Sequence, residues 1–142
     1  SDVDKRQKIT GSMVVFKNGS EQKNEYRKVK IKNDKKQNDL LAMEEIIKRR
    51  LNHTEWESPN LIIVDGGKPQ VKAALNALKE NLAIPVIGLA KKDEVIITSD
   101  FNEIRLKYDS EALLLLKKIR DEAHRFAISY HKTLRSKFFL NS

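Results

Sequence analysis

Cysteine is absent from the 142 residues, which excludes a disulfide framework, a thiolate metal site and a cysteine nucleophile. No stretch approaches the roughly 18 to 20 apolar residues of a membrane-spanning helix, and no signal-peptide pattern opens the chain. Internal repeats and low-complexity segments are missing, as is the Gly-x-x-x-x-Gly-Lys-Ser/Thr pattern of a phosphate loop. Acidic residues are in short supply: 20 stand against 28 basic ones, giving a net charge of +8 and a pI near 9.6. Such an excess suits a domain that meets polyanions, most often nucleic acid, or a Lys-rich surface that only keeps the protein soluble. At 39% hydrophobic, the chain can bury one full core, so a single domain is expected.

What is present centres on Asn60-Leu61-Ile62-Ile63-Val64-Asp65-Gly66-Gly67-Lys68-Pro69. Leu61 to Val64 read as a strand buried on both faces. Asp65 ends it, two glycines permit a tight reversal, and Pro69 suits the first turn of a helix because its missing N–H costs nothing there. This sequence of elements sets a carboxylate at the carboxyl edge of an α/β sheet, where such folds place ligands. An acid fixed in that way can hold a divalent cation such as Mg²⁺, and Lys68 can meet a phosphate at the helix start. The same Asp can instead form an Asx turn or cap the next helix.

Around this centre, Ser12–Lys17 reads as a strand, Asn18-Gly19 as a hairpin turn, and Val29 and Ile31, alternating with lysines, as an antiparallel second strand. Leu40, Met43, Ile47 and Leu51 recur at helical spacing behind a cap at Asn38 or Asp39. His53–Pro59 is a loop carrying the only Trp. A helix from Pro69 to about residue 81 leads to a second apolar strand, Ile84–Ala90, and this succession predicts a parallel pair with a right-handed crossover. Val95–Thr98 and Glu103–Lys107 form a small hairpin. A long helix capped by Asp109 or Ser110 then runs to about Arg135, with Leu113, Leu116, Ile119, Ala123, Phe126, Ala127 and Tyr130 as its core stripe. The fold class is α/β, a mixed sheet flanked by helices.

Arg120, His124, Ile128 and His131 follow one another by four, four and three residues and share a flank of this last helix. His124 falls at the border of core and solvent, where an imidazole can carry a proton or touch a phosphate, or simply bond to backbone. Arg120, Arg125, Lys132, Arg135 and Lys137 make the helix's second half basic. That charge serves phosphate contact or complements a helix C-terminus.

Five segments occur together in order: Ser12-Met13-Val14-Val15-Phe16-x-Asn18-Gly19, Glu25-Tyr26-Arg27, Asp65-Gly66-Gly67-Lys68, Pro85 to Lys91, and Arg120-Asp121-Glu122-Ala123-His124-Arg125-Phe126-Ala127-Ile128. With them the chain, from about Ile9 to Lys137, closely resembles the C-terminal endonuclease domain of UvrC, the incision subunit of bacterial nucleotide excision repair. The resemblance implies an RNase H-like fold with a five-stranded type of sheet. It also implies Mg²⁺- or Mn²⁺-dependent hydrolysis of a DNA phosphodiester 5′ to a lesion. Asp65 matches the family's metal-binding Asp, His124 its catalytic His, and Asp39 an acidic position at the start of the first helix. The implied partners are lesion-bearing duplex DNA and, through other parts of the full protein, UvrB, in the bacterial cytoplasm and away from membranes. Lys68, Arg120, Arg125, Lys132 and Arg135 are the expected DNA contacts.

The family opens with a central strand ending in Asp-x-Ser, and this chain begins too late to contain it. Asp2 and Asp4 sit in no apolar run and do not replace it. The expectation is therefore a sheet lacking its first strand, with strand 12–17 left without a neighbour. Residues 1–8 are expected as a disordered or loop terminus, 9–137 as the domain and 138–142 as a tail. Two other classes stay open: a DNA-binding module without a working metal site, and a protein-interaction domain.

Overall fold

A computed structural model describes residues 9–31, 39–79, 83–90, 95–129 and 134–141; for 9, 10, 31, 39 and 134–141 it describes the backbone alone. In chain order the elements are β1 (Ile9–Lys17), β2 (Ser20–Glu21), a 3₁₀ turn (Lys23–Glu25), β3 (Arg27–Ile31), α1 (Asp39–Asn52), β4 (Leu61–Asp65), α2 (Lys68–Leu78), β5 (Val86–Ala90), β6 (Val95–Ile97), β7 (Glu103–Arg105), α3 (Glu111–Ile128) and β8 (Leu134–Asn141). The expected leading loop (1–8), the Asn38 cap, Tyr130, His131 and Lys132 lie outside the described residues.

The strands form one mixed sheet in the order β2-β1-β8-β4-β5-β6-β7, with β3 also on β1. Asn18-Gly19 turns the chain between Lys17 and Ser20, and both residues adopt positive φ, at 52° and 80°, as a two-residue hairpin requires. β3 then runs antiparallel to β1, with Met13 opposite Arg27. β4 and β5 are parallel across α2, with Asp65 opposite Leu89. β6 and β7 add an antiparallel hairpin at the far edge.

Alternation along the strands splits the core into two layers. Met13, Val15, Ile62 and Val64 meet Met43 and Ile47 of α1 and Val71, Ala74 and Leu78 of α2. Val14, Phe16 and Ile63 meet Leu116, Ile119 and Ala123 of α3 on the other face. Ile62, Ile63 and Val64 are all fully buried, which is why β4 is a continuous apolar run. Burial of each such side chain contributes roughly 1.5–3 kcal/mol. Asp65 follows Ile63 by two residues, so it projects to the α3 face.

Two expectations fail at the C-terminal end. The last helix stops at Ile128 rather than near Arg135, and the segment expected as a tail from 138 is part of β8. Nor is β1 left without a neighbour: β8 pairs with it in parallel from Thr10 to Lys17 and antiparallel with β4 on its other side. The sheet is consequently wider than the five strands expected. A bare central edge exposes unpaired N–H and C=O groups, and Phe138-Phe139 carries the strand preference of aromatic residues. Pairing between segments more than a hundred residues apart outweighs the basic pattern that reads locally as more helix.

Candidate active site

The turn after β4 is held from three sides. Gly66 has φ of 146°, a conformation that a side chain would strain, and its N–H donates to the Leu89 carbonyl at 3.0 Å. The Gly67 N–H donates to Gln70 Oε1 at 2.9 Å, closing a capping arrangement at the start of α2 with Pro69 in its first turn. β5 approaches so closely that a Cβ on Gly88 would lie 2.5 Å from the Gly66 carbonyl oxygen. Asp65 therefore leaves the sheet from a fixed point.

The partner element is fixed as firmly. Ser110 caps α3, its Oγ accepting from the Leu113 N–H at 3.2 Å. Near the other end of α3, the Tyr26 hydroxyl donates to Glu122 at 2.9 Å, and the Tyr26 and Phe126 rings meet edge to face at 5.0 Å. Lys28 donates to the Ala127 carbonyl at 3.2 Å with its ammonium 4.8 Å over Phe126. Arg125 grips Glu122 through Nε at 2.8 Å and Nη2 at 2.7 Å. That ion pair holds the Glu122 carboxyl below its usual range, against burial and with help from Tyr26. Burial, then Glu122, pushes the Tyr26 phenol well above its ordinary value, so it stays a donor.

These two supports bring together residues 59 positions apart: His124 Nε2 lies 3.0 Å from Asp65 Oδ2. The side chains are 49% and 36% exposed, so as an ion pair they contribute little to stability, about 0–1 kcal/mol, and both stay open to solvent. With the carboxylate accepting at Nε2, the proton of a neutral imidazole sits there, and Nδ1 becomes the acceptor. Asp65 Oδ1 has no partner among the described residues.

Of the other expected site residues, Lys68 is the exposed first residue of α2. Arg120 donates to the adjacent Asp121 carboxylate at 2.7 and 3.2 Å, and Arg125 is engaged by Glu122. Asp39 is the first residue of α1, and Arg135 lies in β8 rather than on a helix; the side chains of both are outside the described residues. Sequence reasoning missed Ser12, whose buried Oγ has no hydrogen-bond partner among the described residues. Ser12 pairs with Ser136 and Val64 with Lys137, so Asp65 is one step from Ser136, and Ser12 lies level with it two strands away on the α3 face. A polar residue opening an apolar run was the available signal. Also missed was the Tyr26–Glu122–Arg125 network, whose members stand out in the sequence only as parts of separate motifs.

Among the described residues, no three His, Asp or Glu side chains converge on one point that could hold a metal. One open carboxylate oxygen beside an imidazole is a donor set that fits a divalent cation keeping most of its water, as Mg²⁺ does, and not a closed cage. No described helix is long and apolar enough to cross a membrane.

Residues 3–128 match the family described as the UvrC RNAse H endonuclease domain. Among relatives, the chain is 51% identical to the UvrABC system protein C of Malacoplasma penetrans over 93% of this chain and 24% of that protein. It is 49% identical to that of Chlorobium chlorochromatii, over 88% and 21%, and 44% identical to that of Dictyoglomus thermophilum, over 93% and 23%. The chain thus spans about a quarter of the length of the curated relatives it matches. A mixed sheet between helices, an aspartate at its carboxyl edge and a match over most of the length lead to one conclusion: the chain belongs to the UvrC RNase H endonuclease domain family.

Proposed function

We propose that this domain hydrolyses a DNA phosphodiester 5′ to a lesion in nucleotide excision repair, with Asp65 and His124 as its catalytic pair. The observation that carries the reading is the 3.0 Å contact between a strand-end carboxylate and a helix imidazole, both solvent-accessible. Asp65 Oδ1 would hold Mg²⁺ or Mn²⁺, which when bound supplies Lewis acidity toward the phosphoryl oxygens. Asp65 Oδ2 orients the imidazole, and His124 Nδ1 accepts the proton of an attacking water. The N–H groups of Gly66 and Gly67 already donate within the fold. Phosphate contact therefore falls to side chains, Lys68 and Arg120 first, then Arg125, Lys132 and Arg135. Asp39 is proposed as an accessory carboxylate. The substrate would be lesion-bearing duplex loaded with UvrB, in the bacterial cytoplasm.

Nicking of such a duplex by this domain, with Asp65→Ala and His124→Ala compared at equal DNA occupancy, tests the reading. Loss of the 5′ nick in both variants with DNA binding retained supports it. The lack of a third converging carboxylate among the described residues favours one second reading, a DNA-binding module without its own metal site. Salt-sensitive binding without any nick in the parent is the result it predicts.

A further inference from the structure

The only tryptophan is part of a second constellation, on the sheet face opposite α3. Trp56 packs against the core shared with α1 and α2. The His53 ring stacks on it at 3.9 Å with planes 11° apart. The guanidinium carbons of Arg27 and Arg50 lie 4.3 Å and 5.2 Å from its centroid. Beside the indole is a cavity of about 360 Å³ whose walls include Arg27, Arg49, Arg50, His53 and Trp56 and no carboxylate.

Of the nearby acids, Glu55 is engaged by His53 at 2.8 Å, Glu57 by Lys17 at 3.0 Å and Glu45 by Arg49 at 2.8 Å, while Glu25 lines the adjoining hollow with Arg27 and Arg50 rather than this one. Arg27 meets main-chain carbonyls of Asn24 and Tyr26 through Nη1, leaving Nε and Nη2 without a hydrogen-bond partner among the described residues. Arg50 is 3% exposed, and burial with the neighbouring Arg27 charge lowers its affinity for its proton, while Glu25 and Glu57 act the other way. Arg50 Nη2 donates to the Glu57 carbonyl at 2.6 Å, so Arg50 adds positive charge to the site, and the N–H pair an anion can accept from is Nε and Nη2 of Arg27.

We propose that this cavity is an anion site for a phosphodiester of a DNA strand, separate from the Asp65–His124 pair. The anion chemistry stands on the geometry; its identification with DNA rests on the function proposed above. A site here would hold the strand away from the scissile bond.

Because Trp56 is the sole tryptophan, its emission reads the cavity directly. The 142-residue chain, titrated with a short oligothymidylate, is expected to give a saturable Trp56 change. Arg27→Gln is expected to weaken oligothymidylate affinity about three- to tenfold and to lower the log–log salt slope by about 0.7, one single-strand phosphate contact. Arg49→Gln, at a half-exposed helix position where the native side chain pairs with Glu45, is the second variant should Arg27→Gln fail to fold. Asp65→Ala is expected to keep the Trp56 response, which separates failure of this site from failure of the catalytic reading. Oligothymidylate binding with no Trp56 change, or with an unaltered salt slope in the folded variants, overturns the proposal. Saturation by inorganic pyrophosphate that oligothymidylate cannot displace overturns its assignment to DNA.

Discussion

Replacing Gly88 with alanine presses directly on the turn that carries Asp65. The added Cβ would meet the Gly66 carbonyl oxygen at 2.5 Å and Val71 Cγ2 at 2.7 Å. Neither contact is easily relieved. Val71 is fully buried, and the Gly66 peptide is pinned to the same strand by its 3.0 Å bond to Leu89. Overpacking of this kind costs about 1–3 kcal/mol, and loosening the Gly66–Leu89 bond adds about 0.5–1.5 kcal/mol. The total, about 1.5–4.5 kcal/mol, corresponds to a fall in Tm of roughly 5–15 °C for a domain of this size. Urea unfolding should show a lower midpoint with the slope unchanged. A retreat of the Gly66 carbonyl also carries Asp65 away from His124, and a misplacement near 1 Å is worth about 10²-fold in turnover. Gly67→Ala is the steric control: its Cβ would meet nothing nearer than Ala90 Cβ at 4.0 Å, so its cost should be that of alanine at the α2 N-cap alone, about 0.5–1 kcal/mol. Gly88→Ala with the parent's Tm and midpoint would refute the claim that β5 fixes this turn.

Glu122 has its folded pKa lowered from the ordinary value of 4.5 by Arg125 first. Its contribution is therefore fully present above the unfolded carboxylate pKa and is lost as pH falls through the lowered folded value. Tm measured from neutral pH into acid should drop more steeply in the parent than in Glu122→Gln; parallel curves would contradict this. Ser12→Ala removes a buried hydroxyl that has no partner among the described residues, so thermal unfolding should show a domain as stable as the parent or more stable, by up to about 1–3 kcal/mol. A loss of 1 kcal/mol or more would mean that the hydroxyl has a partner in solution.

Much of the framework is legible in the chain because it is written in local patterns. Four apolar residues before Asp65, the helical spacing of Val71, Ala74 and Leu78, and the Asn18-Gly19 turn each follow from nearest-neighbour chemistry, and β4, α2 and the first hairpin occur where those patterns stand. Asp65 is legible for the same reason, as a carboxylate that must leave a buried strand. Its meeting with His124 is not local; the sequence offers only a helix flank for the imidazole, and the resemblance joins the two. β8 was illegible because its cause is the unfilled edge of β1, far away in sequence, whereas Arg125, Lys132 and Arg135 read locally as one basic helix. Trp56 and Arg27 stay unconnected for the same reason, since 29 positions separate them.

Whether Asp65 and His124 act on one phosphodiester is read most directly by single-turnover nicking of a lesion duplex in Mg²⁺ by the parent, Asp65→Asn and His124→Gln, each at saturating DNA occupancy. Both variants are expected to fold and bind as the parent does but to lose about 10²-fold or more in the nicking rate. Either variant nicking within a few-fold of the parent would contradict that shared role.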